Sequence, residues 1–171
     1  MKWRERAPTV ALIAAAALAA CSPALNWRQV LLERITVLLP CKPDRAQRNL
    51  RVGERDVKLS MAGCEAAGAL FAVSHIPLAD TTATAGLVQD WRTATLANMR
   101  ATAVVDSSFA VPPGFTAASR IAVQGQLPDG NKVQGQLVWL VSGSDVFHLA
   151  VYGERLTQEM VDTFFSDTKL Q

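Results

Sequence analysis

Two identical copies of one pentapeptide constrain the fold more than any other feature. Val123-Gln124-Gly125-Gln126-Leu127 recurs as Val133-Gln134-Gly135-Gln136-Leu137, with Pro128-Asp129-Gly130-Asn131 between them. Alternating segments on either side of an Asp-Gly pair form the pattern of a β-hairpin. A two-residue loop at Asp129-Gly130 would set Val123 against Gln136, apolar against polar. An odd-length loop pairs Ile121 with Trp139, Val123 with Leu137 and Leu127 with Val133. A slip of one residue turns every side chain to the other face, so the odd loop is expected, with Asn131 or Gly130 in the left-handed region. In that register Gly125 faces Gly135, and a large helix residue such as Trp91 is expected to fill the gap.

The next two segments, 138–141 and 146–151, are apolar on both faces around the turn 142–145. Such strands belong in the middle of a sheet covered on both sides. Across that turn Val141 opposes Val146 and Trp139 opposes His148. Upstream, 27–32 and 35–39 read as strands, with Pro40-Cys41-Lys42-Pro43 as the exit. Segments 47–52 and 56–61 flank a hairpin turn at Gly53-Glu54, and Val57, Leu59 and Met61 alternate with polar residues. Gly63-Cys64 is expected to end that strand, and 69–76 forms the next, closed by Pro77. Residues 104–111 are open between a short strand and a loop.

Two helices complete the pattern. Asp80 to Thr82 supply caps for a helix over 83–101, whose apolar stripe is Thr84, Val88, Trp91, Thr95 and Met99. Thr157 caps a last helix to about Lys169 that buries Met160, Val161, Phe164 and Phe165. The expected class is α+β, an antiparallel sheet covered by two helices.

The front of the chain follows other rules. Lys2, Arg4 and Arg6 precede an apolar run over 10–20, shorter than the roughly 20 residues a membrane span requires. That run closes with Leu18-Ala19-Ala20-Cys21, which resembles the lipobox of bacterial lipoproteins. The resemblance implies cleavage between Ala20 and Cys21, acylation of the Cys21 thiol with fatty acids such as palmitate, and acylation of the new amino terminus. An ordinary secretory signal cut after Ala19 is the alternative. Ser22 in place of Asp resembles lipoproteins passed to the outer membrane, facing the periplasm. The expected division is a signal peptide over 1–20, a lipidated Cys and tether over 21–26, and one globular domain over 27–171.

The leader holds three of the 17 bases and one of the 15 acids, so the remainder is neutral. Neutrality gives no argument for a nucleic-acid partner. One local excess stands out: Lys42, Arg45, Arg48, Arg51, Arg55 and Lys58 against Asp44, Glu54 and Asp56. It reads as a charged edge strand, in preference to a surface for lipid headgroups. Cys41 and Cys64 are expected to form one structural disulfide in an oxidising envelope, stabilising by about 3 kcal/mol through loop closure. His75 and His148 are not at zinc-ligand spacing to either thiol, and no CxxC is present, so no metal or other cofactor is expected.

His75 and His148 are the candidate general bases, yet neither accompanies a GxSxG nucleophile motif, and Gly143-Ser144-Asp145 reads as a turn. The order of elements resembles the PsbP/Mog-like α/β/α sandwich, which includes DcrB-type envelope lipoproteins. The resemblance rests on Leu38-Leu39-Pro40 closing an early strand and on the single helix around Trp91. It also rests on Val146-Phe147-His148-Leu149-Ala150-Val151-Tyr152-Gly153 before a Phe-containing terminal helix. Pro-Cys-Lys-Pro and Ser-Met-Ala-Gly-Cys also resemble uncharacterised proteobacterial lipoproteins. These likenesses imply a non-catalytic binding or assembly protein, anchored to the membrane, that takes a protein or lipid partner at a sheet edge or a helix-side groove. An envelope hydrolase with a site near His148 is the alternative. A pocket holding either histidine within reach of a carboxylate and a hydroxyl would favour the enzyme.

Overall fold

The computed structural model describes residues 24–171; Ala20, Cys21 and the rest of the leader lie outside the described residues. In chain order the elements begin with β1 (Arg28–Leu32), β2 (Ile35–Leu39), β3 (Asp44–Val52), β4 (Arg55–Ala66) and β5 (Ala69–Pro77). There follow α1 (Thr84–Asn98), β6 (Ala103–Ser107), β7 (Ala117–Gln126), β8 (Lys132–Ser142) and β9 (Asp145–Gly153). The chain closes with α2 (Gln158–Ser166) and β10 (Lys169–Leu170). This is the expected α+β class, an antiparallel sheet with two helices.

The hairpin repeat forms β7 and β8 across three residues, Pro128 to Gly130. Leu127 N–H donates to Asn131 O at 2.8 Å, and Gly130 takes φ +88°, a conformation glycine adopts freely. The odd loop is therefore present, but the register differs from the expected one by two residues: Ile121 faces Leu137, Val123 faces Gly135 and Gly125 faces Val133. Asp129 accounts for the tighter closure, since its carboxylate accepts from the Asn131 backbone N–H at 3.0 Å and holds a compact turn. A shift of two preserves parity, so the expected residues remain buried. Gly125 and Gly135 are diagonal neighbours, and the side chain over them is Met99, not Trp91. A Cβ at Gly125 would run into the Met99 carbonyl, and one at Gly135 into Val123 and the Met99 methyl.

β9 stands at the centre of a seven-stranded sheet ordered β3-β4-β5-β9-β8-β7-β6. Its side chains are buried on both faces, as the double-sided apolar pattern requires. β3 is an edge, in keeping with its run of bases. Gly63-Cys64 does not end β4. The strand continues to Ala66, because the reversal is made by Ala67 and Gly68, both at positive φ.

The first hairpin departs most from expectation. β1 and β2 pair with each other and with β10, and make a separate three-stranded sheet. Val30, Leu32, Ile35, Val37 and Leu39 are all buried, so both strands insert their apolar side chains against the large sheet instead of extending it. With α2 they cover one face, where Trp27, Phe71, Phe147, Phe164 and Phe165 pack into the largest core cluster. Thr157 caps α2 through a bond from Met160 N, and the buried residues of α2 are the four expected. That helix ends at Ser166, so Lys169 falls in β10. α1 covers the other face and stops at Asn98, short of Ala101, with Met99 as its C-cap.

Candidate functional site

Cys41 and Cys64 form a disulfide, with their Cα atoms 6.0 Å apart. Cys41 lies two residues past the end of β2 and Cys64 lies within β4, so the bridge ties the β2–β3 connection to the large sheet. Packing begins just before β1: Leu25 lies against the core, and Asn26 N–H donates to Pro40 O at 2.7 Å.

The two histidines occupy opposite faces of the large sheet. His75, on the α2 face, stacks on Phe147 at 4.8 Å between centroids. Its Nε2 lies 2.7 Å from Asp145 Oδ1. An ionised carboxylate only accepts, so Nε2 carries the proton. Asp145 Oδ2 also accepts from Arg34 Nη1 at 3.2 Å, which joins the β8–β9 turn to the β1–β2 turn. Ser60 stands opposite His75 in register, but its hydroxyl accepts from Gln47 Nε2 at 3.2 Å. Among the described residues no hydrogen bond joins Ser60 to His75, so imidazole, carboxylate and hydroxyl are neighbours without forming a relay.

His148, on the α1 face, faces Trp139 as the sequence indicates. Their rings stack at 4.6 Å and 19°, and Trp91 from α1 leans over the imidazole at 5.0 Å. Buried between two indoles, His148 has its pKa pushed down to about 3 by loss of solvent, so the ring is neutral at any physiological pH. Its Nε2 and the Trp139 Nε1 are both buried without a hydrogen-bond partner.

His148 lines a groove of about 400 Å³ between α1 and the sheet, with walls that include Met61, Leu70, Trp91, Met99 and Tyr152. No charged side chain lines it. Burial raises the Tyr152 phenol well above its ordinary pKa, so it too is neutral. Leu70 and Leu127 at the rim are 39% and 43% exposed, enough to leave the groove open to solvent. A larger hollow of about 610 Å³ lies between residues 109–113 and 165–171, and neither histidine lines it. Its charged residues Asp167 and Lys169 pair with each other. The α1 groove is the better candidate because its lining is convergent, apolar and neutral around an unpartnered polar atom. A helix-side groove was one of the two expected partner sites, but its place was not foreseen: the apolar stripe of α1 was legible, but not that α1 leaves part of the sheet uncovered.

No family model matches this chain, and no curated protein does. Among solved structures it is similar to a protein of unknown function, PA94, from Pseudomonas aeruginosa, with a TM-score of 0.35 and 16% identity. That match covers 67% of this chain and 85% of the other. It is too loose a likeness to bear on function. Among the described residues no helix is long and apolar enough to cross a membrane.

Proposed function

We propose that the protein is a non-catalytic binding or assembly module of the bacterial envelope. It is tethered through acylated Cys21 and takes a neutral, apolar partner group in the groove between α1 and the sheet. The observation that carries this reading is the groove itself, open at its rim, with no charged side chain in its own walls and with aromatic and thioether side chains among them. Glu65, Lys132 and Glu154 stand only in the adjoining hollow beyond Leu70 and Leu127. The histidine inside it has no carboxylate for company, and the histidine that has one lines none of the cavities described above. The anchor rests on Leu18-Ala19-Ala20-Cys21, and the Cys41–Cys64 disulfide suits the oxidising space to which such an anchor leads. The finer reading of the fold, a PsbP/Mog-like sandwich of the DcrB type, belongs to the same proposal. It is supported by the order of elements and by one helix on each face of the sheet.

Photo-crosslinking in intact cells tests the binding reading. A crosslinking residue at Asn98, exposed on the groove lip, should give discrete adducts, and one at Glu159 on α2 should not. The yield should fall when Cys21→Ser releases the protein from the membrane fraction. Equal labelling at both positions would remove the groove from consideration. A Cys21→Ser protein that stays in the membrane pellet would remove the anchor.

A further inference from the structure

We propose that the β3 edge lies against an anionic bilayer surface and so sets the orientation of the domain on its membrane. The inference rests on the acylated Cys21 read above. Asn26 is bonded to Pro40, four residues before β3 begins. Cys21 is five residues from Asn26, and five extended residues span at most about 17 Å. An acyl anchor at Cys21 therefore holds the start of β3 close to the headgroups.

The charge along that edge, from Lys42 before β3 to Lys58 on the neighbouring β4, has the matching sign. Lys42, Arg45, Arg48, Arg51 and Lys58 are exposed, and among the described residues none of them is in an ion pair. Asp44, Glu54 and Asp56 lie in the same stretch without neutralising them, while Arg55 is held by Asp90 on α1. The mature domain is neutral overall, so this basic edge leaves the remainder acidic and gives the molecule a charge asymmetry. Near an anionic leaflet each base within a Debye length, about 10 Å, favours association by about fivefold, and the acidic remainder is repelled. Arg45 also donates to the carbonyl of Leu31, whose side chain is half exposed beside it, so an apolar residue accompanies the bases. A charge pattern that serves only to prevent strand pairing would need no tether ending at its foot.

The test uses the full acylated protein reconstituted into vesicles of phosphatidylcholine alone or mixed with phosphatidylglycerol, and follows amide hydrogen exchange. Exchange over residues 42–52 should slow several-fold in the anionic vesicles and recover near about 1 M salt, where screening shortens to about 3 Å. Exchange in α1 should not change. The triple variant Arg45→Gln, Arg48→Gln, Arg51→Gln alters only exposed side chains and should lose the protection while still floating with both kinds of vesicle. Protection that is equal in neutral and anionic vesicles, or that persists in the triple variant, would overturn the orientation alone. A protein that fails to float with neutral vesicles would overturn the anchor and the orientation together.

Discussion

Each face of the seven-stranded sheet buries one histidine, and the two are treated in opposite ways. On the α2 face His75 has a carboxylate at 2.7 Å, and α2, the β1-β2-β10 sheet and Phe115 from the β6–β7 connection close over the surrounding core. On the α1 face His148 has two indoles for neighbours and a buried nitrogen without a partner, and a single helix leaves a groove beside it. The closed face is built for stability: its aromatic rings meet edge to face, as Phe164 does with Phe71 at 5.5 Å. The open face gives up some of that packing and retains an apolar surface within reach of solvent. An unpartnered polar atom is costly in a finished core, and here it sits beside a groove on the side proposed above to bind.

The contrast can be broken at several points. Phe164→Ala should cost about 3–5 kcal/mol, because a fully buried ring is lost from the closed face. Urea unfolding would read this, and a change below about 1 kcal/mol would mean that face is not the stabilising one. Reducing the Cys41–Cys64 bridge, which closes a loop of 23 residues in sequence separation, should cost about 3 kcal/mol by the same measurement. Crosslinking at Asn98 should survive that reduction if the two faces are independent.

The open face makes a prediction of its own. His148 has a folded pKa of about 3 against 6.5 when unfolded. The unfolded chain therefore takes up a proton first as pH falls, and stability present above about pH 6.5 is lost on the way down towards pH 3. Between pH 8 and pH 5 this amounts to about 2 kcal/mol. His148→Phe should flatten that part of the pH profile with little loss of stability at pH 8, since the partnerless nitrogen goes with the ring. An unchanged profile would show that His148 gains a partner or solvent in solution.

Much of the large sheet was legible because its strands obey local rules. The double-sided apolar runs placed β8 and β9 near the centre, Asp-Gly with a parity argument set the faces of β7 and β8, and bases on both sides of β3 marked an edge. Register was not legible to the residue, because Leu127 fits opposite Val133 or beside Asn131 and only the Asx turn at Asp129 decides between them. Nor was the position of a helix-side groove legible, since Trp91 was expected over the glycines and lies over His148 instead. A helical period fixes which side chains face the sheet, not how far along the sheet the helix sits.

By itself, the sequence determined the class of fold, the cysteine pair, the central strands and the buried side of each helix. All of these follow from hydrophobic periodicity or local chain chemistry, which act over a few residues. Only the tertiary structure decided that the first hairpin leaves the main sheet to pack on one of its faces, that His75 meets Asp145, and that α1 covers His148 with Trp91 yet leaves a groove beside it. Those outcomes depend on how volumes fit between elements distant in sequence, and volume in three dimensions has no local signature in the chain.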